Sequence, residues 1–269
     1  MITKERFTEI KNEVEVELKN TFDELEINCP NELKAFLARG EYNDKYMNSK
    51  YLKNHVPYVI SNNKDIFKDM DRIEFLSNFL NNFYSFDNAS SLNDDKYRMH
   101  IELMLYCHIW ESKNFLKQIS RLAILVDKNC YEWDVKSPTN SKFKYIRDNI
   151  KKHFNKKQNS LSHIIDKGYH SSLRNAFAHS DYSFNLYNGN KKINLNNYGG
   201  KKWEMREISF DEWSERFVYS FLLTYLFFKE IENRIRHIPV GSKYIIDLPI
   251  EKTICIQYNG NGDFITCLG

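Results

Sequence analysis

The spacing of apolar residues constrains the fold of this chain more than any other feature of its sequence. Between residues 96 and 127, apolar side chains recur around most of the circumference of a helix. A helix that is apolar nearly all round is typical of a buried, central element. Two polar residues inside this pattern, His108 and Glu111, are either a pair of ligands or, as is more frequent, satisfied core or surface residues. Helical spacing predicts further helices over 3–27, 31–39, 64–84, 141–157, 160–180 and 210–235.

Alternation at period two replaces helical spacing after the predicted 160–180 helix. Residues 183–187 and 192–195 alternate around Asn188-Gly189, which is typical of a β-hairpin. Residues 203–210 are a candidate third strand beside them. We therefore expect a small antiparallel sheet between two helices of the bundle.

The C-terminal part of the sequence predicts a well-capped helix followed by short strands. Ser209 and Glu212 have the spacing of a capping box, which opens the last predicted helix. Beyond that helix, residues 244–250 and 253–258 predict short strands, with a second hairpin at 259–262. The fold class that follows is mainly α, with a β-hairpin after the 160–180 helix and a short C-terminal β-hairpin. The predicted parts are an N-terminal helical extension (1–58), a helical domain (59–237) and a C-terminal appendage (238–269).

Composition limits the partners and the compartment. The formal charge of +3, from 39 Lys+Arg against 36 Asp+Glu, permits a nucleic-acid partner but does not require one. The five cysteines are scattered without a C-x-x-C pair, which argues against a disulfide framework and a structural zinc site. No apolar run is long enough to span a bilayer, and the N-terminus lacks the apolar core of a signal peptide. We expect a cytoplasmic protein without cofactor, metal or membrane.

Arg174 and His179, near the end of the predicted 160–180 helix, are the candidate catalytic pair. Arginine supplies a permanent positive charge for a phosphate, and histidine titrates near neutrality and can move a proton. On one helix they would lie roughly 140° apart with an axial rise of about 7 to 8 Å. They would flank a strip of small side chains, formed by Gly168, Ser171, Asn175 and Ala178. Such a strip admits a substrate or a second subunit, although small residues also serve ordinary helix packing.

A cationic helix precedes this motif. Residues 141–157 contain seven Lys/Arg and one Asp, while their apolar residues keep helical spacing. Beside the motif, such a face would hold a polyanion by its phosphates, but a solvated lysine face explains the pattern equally well. Tyr182 would stack on a base or pack in the hairpin. The candidate RNA-binding residues are Lys151, Lys152, Lys156, Lys157, Lys167, His170 and Tyr182.

The run Leu173 to Tyr182, LRNAFAHSDY, resembles the R-x4-6-H signature of the HEPN superfamily. It resembles the abortive-infection and plasmid-borne bacterial branches, where R-N-x-x-A-H-S is common. Over residues 60–237 the order of elements also resembles this family. The resemblance implies a helical bundle that forms a homodimer through the motif helix. It further implies a metal-independent endoribonuclease with a composite site at the dimer interface.

The resemblance also implies roles for three residues. His179 would assist attack by the ribose 2′-hydroxyl or protonate the leaving oxygen, and Arg174 would stabilise the phosphorane-like transition state. Asn175 would orient the histidine or the substrate. A toxin or antiphage effector acting on RNA is the function that follows. Two alternatives stay open: a non-catalytic dimer that binds RNA or a partner protein in a defence or toxin–antitoxin system, and a small-nucleotide sensor that uses the Arg174 cleft.

Overall fold

Helices dominate the computed structural model, as the apolar spacing predicts, so the mainly α fold class is confirmed. The structure describes residues 2–44, 57–60, 63–86, 96–186, 191–196, 205–260 and 262–267, with side chains from residue 70 onward in the third helix. Its α-helices are α1 (Lys4–Asn28), α2 (Pro30–Leu37), α3 (Asn63–Phe83), α4 (Lys96–Glu111), α5 (Lys113–Lys128), α6 (Lys142–Tyr145), α7 (Lys152–Lys156), α8 (Leu161–Gly168), α9 (Ser171–Ala178) and α10 (Phe210–Arg236).

Helix α10 is the centre of the bundle. It begins at the predicted capping box, where the Ser209 hydroxyl accepts from the Glu212 backbone N–H at 3.2 Å. The Glu212 carboxylate accepts the Ser209 backbone N–H at 3.1 Å in return. Helices α1, α3, α4 and α8 pack against α10. The buried cluster they share includes Phe22 of α1 and Phe217 of α10, and it extends to Ile256 in the C-terminal sheet.

The long apolar pattern between residues 96 and 127 is not one helix, so that expectation is wrong. It contains α4 and α5, which are separated by Ser112 in an extended conformation (φ −66°, ψ 108°). The Ser112 hydroxyl accepts from the Phe115 backbone N–H at 3.2 Å and caps α5. The apolar pattern continues across this break, and α5 by itself is buried around its circumference, since every residue from Gln118 to Leu125 is buried.

The predicted 160–180 helix is also two helices. Between α8 and α9, Tyr169 (φ −88°, ψ 135°) and His170 (φ −144°, ψ 127°) are extended. The His170 imidazole caps α9, because its Nδ1 accepts from the Ser172 backbone N–H at 3.2 Å. Gly168 at the end of α8 lies against α10, where a Cβ would meet the Ser220 Oγ at 2.9 Å and its backbone nitrogen at 3.1 Å. Gly168 therefore does not share a helical strip with the motif residues.

Substitution of Gly168 by alanine tests this close packing. We expect a loss of about 1–3 kcal/mol in the free energy of unfolding, because a backbone nitrogen of α10 cannot move aside as a side chain can. Urea denaturation of the variant measures the loss, with His163→Ala, an exposed position of the same helix, as the control. A gain in stability would show that helix propensity, worth up to ~1 kcal/mol for Gly→Ala, outweighs the contact.

The cationic segment is helical, as predicted, but it is not uniformly α. Between α6 and α7 the chain forms a π-helical turn at Ile146–Lys151. The buried apolar residues of the segment are Tyr145, Ile146, Ile150 and Phe154, which pack toward α5. Phe143, assigned to the packed face by its spacing, is 37% exposed.

The candidate third strand within 203–210 is present as Glu207–Ser209, and a strand also follows the hairpin at 259–262. The first sheet has the order β3 (Tyr182–Asn185), β4 (Lys192–Leu195), β5 (Glu207–Ser209), and the C-terminal sheet has the order β6 (Lys243–Leu248), β7 (Lys252–Gly260), β8 (Asp263–Cys267). Both are antiparallel. A two-stranded pair, β1 (Glu41–Tyr42) with β2 (Tyr58–Val59), completes the strands described. The Asn188-Gly189 turn lies outside the described residues.

No helix in the described part of the chain is both long enough and apolar enough to cross a membrane.

Candidate functional site

The two motif residues lie on α9 in different environments. Arg174 is in the middle of this helix, and its side chain is 17% exposed. His179 follows the last helical residue and caps the C-terminus, where its backbone N–H donates to the Asn175 carbonyl oxygen at 3.1 Å. The His179 side chain is exposed and Asn175 is half-buried. The imidazole is thus open to a ligand, while the guanidinium is held mostly within the protein.

Glu111 holds the Arg174 guanidinium. The distance between Arg174 Nη1 and Glu111 Oε1 is 3.2 Å. The other carboxylate oxygen of Glu111 accepts from Lys142 Nζ, which also donates to the Glu111 backbone carbonyl at 3.1 Å. Among the described residues, Arg174 Nε has no hydrogen-bond partner. Two cations share one carboxylate, so the cluster keeps an excess of one formal positive charge. His108, three residues before Glu111, is exposed and is not part of the cluster.

Tyr169 closes the buried side of the Arg174 cluster. Its ring packs against Trp110 with 4.8 Å between centroids. Burial raises the pKa of the Tyr169 hydroxyl, and the positive charge of Arg174 opposes that rise. The phenol therefore stays neutral beside the guanidinium. This arrangement orients Arg174 without cancelling its remaining charge.

Cys107 is a further nucleophile candidate near the motif, since its Sγ lies 3.8 Å from the Arg174 backbone carbonyl oxygen. Burial raises the pKa of this thiol to about 12, although the charge of Arg174 acts in the opposite direction. Only the thiolate is an effective nucleophile, so a thiol with such a pKa is inert near neutrality. Cys107 is therefore not a nucleophile candidate in this environment.

Tyr182 lies on the face of the first sheet that packs against α4 and α9. Its hydroxyl lies 3.0 Å from His100 Nδ1 on α4. Its ring meets Phe177 of α9 edge-on, with 5.3 Å between the centroids, and Phe184 of β3 at 5.8 Å. These contacts match the packing alternative for Tyr182.

Several predicted RNA-binding lysines already have carboxylate partners away from α9. Lys167 Nζ lies 2.6 Å from Glu13 Oε1 on α1. Lys156 Nζ lies 2.8 Å from Asp127 Oδ2 on α5. Burial raises the pKa of the Asp127 carboxyl, but the hydrogen bonds from Lys156 and His153 outweigh it, and the net pKa is lowered. These two lysines stabilise contacts between helices.

The remaining predicted lysines divide between two places. Lys152 is exposed, and Lys157 is exposed beside a polar cavity between α1 and α5. Lys151 instead lines a cavity of about 270 Å³ between the π-helical turn and α9, where His170 also lies. The structure therefore brings Lys151 and His170 together and separates them from Lys156, Lys157 and Lys167.

The same cavity contains residues that were not predicted to bind RNA. It is lined in addition by Phe143, Arg147, Asp166 and Ser171. Arg147 belongs to the cationic pattern of 141–157, which was the available signal, but the π-helical turn that brings it to the cavity has no clear sequence signature. Glu111, which pairs with Arg174, and Lys142, which pairs with Glu111, were likewise not predicted to interact.

In the described residues, no three His, Cys, Asp or Glu side chains converge as metal ligands. No protein-family model, curated protein or solved structure matches this chain. Its function is therefore inferred from α9 and the residues around it.

Proposed function

We propose that this chain is a metal-independent endoribonuclease of HEPN type, which acts as a homodimer and serves in the cytoplasm as a toxin or antiphage effector. The observation that carries the proposal is the pairing on α9 of an exposed imidazole, His179, with an anchored guanidinium, Arg174. One side chain can transfer a proton, and the other can stabilise negative charge on a phosphate. These are the two tasks that RNA cleavage through the 2′-hydroxyl requires.

The reaction needs no water in its first step. The ribose 2′-oxygen forms a bond to phosphorus as its proton leaves, and the bond from phosphorus to the 5′-oxygen breaks. His179 accepts the first proton or donates one to the departing 5′-oxygen. Arg174 stabilises the negative charge that develops on the non-bridging oxygens. The products are a 2′,3′-cyclic phosphate and a 5′-hydroxyl, and Asn175 positions the imidazole or the phosphate.

Arg174 and His179 of one helix are far apart, but two copies of α9 in a dimer would bring one of each to the same phosphate. Arg174 and His179 differ by five positions, which corresponds to an axial separation of about 7 to 8 Å. Between them the helix presents half-buried Asn175 and exposed Ala178, which are small enough for close approach of a second helix. This layout supports a site that would combine Arg174 of one subunit with His179 of the other.

RNA cleavage in the presence of EDTA tests the activity. Purified protein should cleave single-stranded RNA and leave a 2′,3′-cyclic phosphate, and a 2′-O-methyl RNA of the same sequence should remain intact. The end groups are identified by mass spectrometry of the fragments. Absence of cleavage, or equal cleavage of the 2′-O-methyl strand, would contradict a mechanism that uses the 2′-hydroxyl.

Mixing of inactive variants tests the composite site. An Arg174→Ala subunit paired with a His179→Ala subunit retains one intact combination of Arg174 and His179 across the interface. Co-expression of the two should restore part of the activity that each lacks alone. A strictly monomeric protein in analytical ultracentrifugation, or no restoration in isolated heterodimers, would contradict the shared site.

A second candidate is a non-catalytic dimer that binds RNA or a partner protein, such as an antitoxin or another defence protein. The ion pair between Arg174 and Glu111 favours it, because a substrate phosphate must compete with this carboxylate. Wild-type protein that binds RNA tightly but leaves it intact would support this candidate over the ribonuclease.

A further inference from the structure

We propose that the cavity between the π-helical turn and the start of α9 is a subsite for one nucleotide of the RNA strand. It would bind the nucleotide through a phosphate and a stacked base. The cavity measures about 270 Å³ and is lined by Phe143, Arg147, Lys151, His170 and Ser171, among others. This proposal rests on the proposed ribonuclease function. It extends that function by assigning a second place, away from the cleaved bond, where the RNA strand is bound.

The π-helical turn is the first sign of a built site. Such turns are rare, they appear mostly as short insertions in α-helices, and they are frequent at functional sites. Here Ile146–Lys151 interrupts an otherwise α-helical segment, and three of its residues, Ile146, Arg147 and Lys151, line the cavity. The departure from α-helical geometry thus coincides with the cavity wall.

The charges around the cavity suit a phosphate. Arg147 pairs with its neighbour Asp148 at 2.7 Å, and both side chains are about half exposed. Lys151 pairs with Asp166, which is also half exposed and lines the cavity. Exposed ion pairs of this kind contribute little stability, so a phosphate can replace the carboxylates at small cost. Ser171 begins α9, and the positive end of this helix adds to the attraction for an anion.

An aromatic surface beside these charges suits a base. Phe143 is 37% exposed although it is a large apolar side chain. The Arg147 guanidinium carbon lies 5.5 Å from the centroid of the Phe143 ring. Bases stack on aromatic rings and on guanidinium planes while the backbone contacts cations, which is the usual mode for single strands. Phe143 and Arg147 thus offer both parts of a nucleotide site.

The position of the cavity fits a strand that continues to the motif. The cavity lies at Ser171, and His179 follows the far end of α9, so the two are about 10–12 Å apart along the helix axis. At the ~3.4 Å axial rise per nucleotide of a stacked strand, this distance spans at most roughly three nucleotides. The subsite would therefore hold a nucleotide near the cleaved bond without touching it.

Binding of an uncleavable strand tests the subsite. The probe is a fluorescein-labelled 2′-O-methyl RNA of twelve uridines or adenines, and its affinity is measured by anisotropy at several salt concentrations. The double variant Arg147→Gln/Lys151→Gln should bind at least about tenfold more weakly. The slope of log K against log salt should fall by one to two units, because each phosphate contact contributes about 0.7 for a single strand. Lys11→Gln, at an exposed position on α1, is the matched control and should bind as wild type does.

Two further variants keep the test independent of folding defects. Asp166→Asn removes the lining carboxylate and should tighten binding severalfold, a gain that a merely structural role would not produce. Phe143→Ala should weaken binding with the salt slope unchanged, because stacking releases no counterions. Unchanged affinity in the Arg147/Lys151 double variant, or a wild-type protein that does not bind the probe, would overturn the subsite.

The outcomes separate this inference from the proposed activity. If wild-type protein binds the 2′-O-methyl strand through Arg147 and Lys151 but leaves unmodified RNA intact, the ribonuclease fails and the subsite remains. If cleavage proceeds with unchanged Michaelis constant in the double variant, the ribonuclease remains and the subsite fails. Adenosine monophosphate is added as a competitor of the probe. If it binds as tightly as the probe does, the cavity is a site for a free nucleotide and the assignment to an RNA strand is overturned.

Discussion

Replacement of His179 by alanine is expected to slow RNA cleavage by about 10²–10⁴-fold, the usual contribution of a general acid or base. The side chain is exposed and only its backbone N–H takes part in the helix cap, so the free energy of unfolding should change little. Single-turnover cleavage of a labelled RNA measures the rate, and thermal unfolding measures the stability of the same preparation.

His237 supplies a matched control for this variant. It is also exposed and also caps the C-terminus of a helix, α10. His237→Ala should retain the wild-type rate, and a loss equal to that of His179→Ala would show that the effect is not specific to the motif. Arg174→Lys should restore only part of the activity lost in Arg174→Ala, because lysine keeps the charge but lacks the planar fork. A His179→Ala protein that cleaves at the wild-type rate would remove His179 from the mechanism.

Replacement of Glu102 by alanine is expected to cost about 3–5 kcal/mol of stability, the largest effect of any single substitution considered. Glu102 is fully buried in α4 and lies 3.1 Å from Arg98 Nε. It also accepts from the Tyr84 hydroxyl at 2.8 Å and from Trp213 Nε1 at 2.9 Å. Without the carboxylate, the Arg98 charge is left buried and uncompensated.

Equilibrium unfolding in urea measures this loss. Glu15→Ala, at an exposed position on α1, serves as the control and should change stability by less than about 0.5 kcal/mol. The simultaneous change Arg98→Met/Glu102→Leu should recover much of the loss, because a buried ion pair replaced by apolar side chains is often neutral. A loss below about 1 kcal/mol in Glu102→Ala would show that water reaches Arg98 in the variant.

Most elements of the fold were predictable because their signals are local. The capping box at Ser209 and Glu212 and the alternation of the first hairpin depend on neighbouring residues alone. The breaks in the helices at Ser112 and at Tyr169–His170 are not predicted by spacing, because the apolar pattern continues across them. At Ser112 the signal was present, since serine is a favoured N-cap residue, whereas a histidine cap such as His170 is uncommon.

The candidate site was less predictable than the fold. The Arg174 and His179 pair is visible in sequence. Glu111, which pairs with Arg174, and Lys142, which pairs with Glu111, come from α4 and α6, and their positions depend on how those helices pack. The lysines that look alike in sequence differ because Glu13, Asp127 and Asp166 lie opposite three of them. Ion pairs between residues that are far apart in sequence do not change the periodicity of the sequence, so they cannot be predicted from it.

The extended residues between α8 and α9 separate the motif from the element that precedes it. Helix α8 packs against α10, with Gly168 at the point of closest approach, whereas α9 packs against α4. The direction of the motif helix is thus set by a neighbour in space and not by its neighbour in sequence. In a directed-evolution experiment, substitutions that retune Arg174 and His179 should accumulate on the side of α4 that faces α9, and α8 should tolerate change only where its packing on α10 permits.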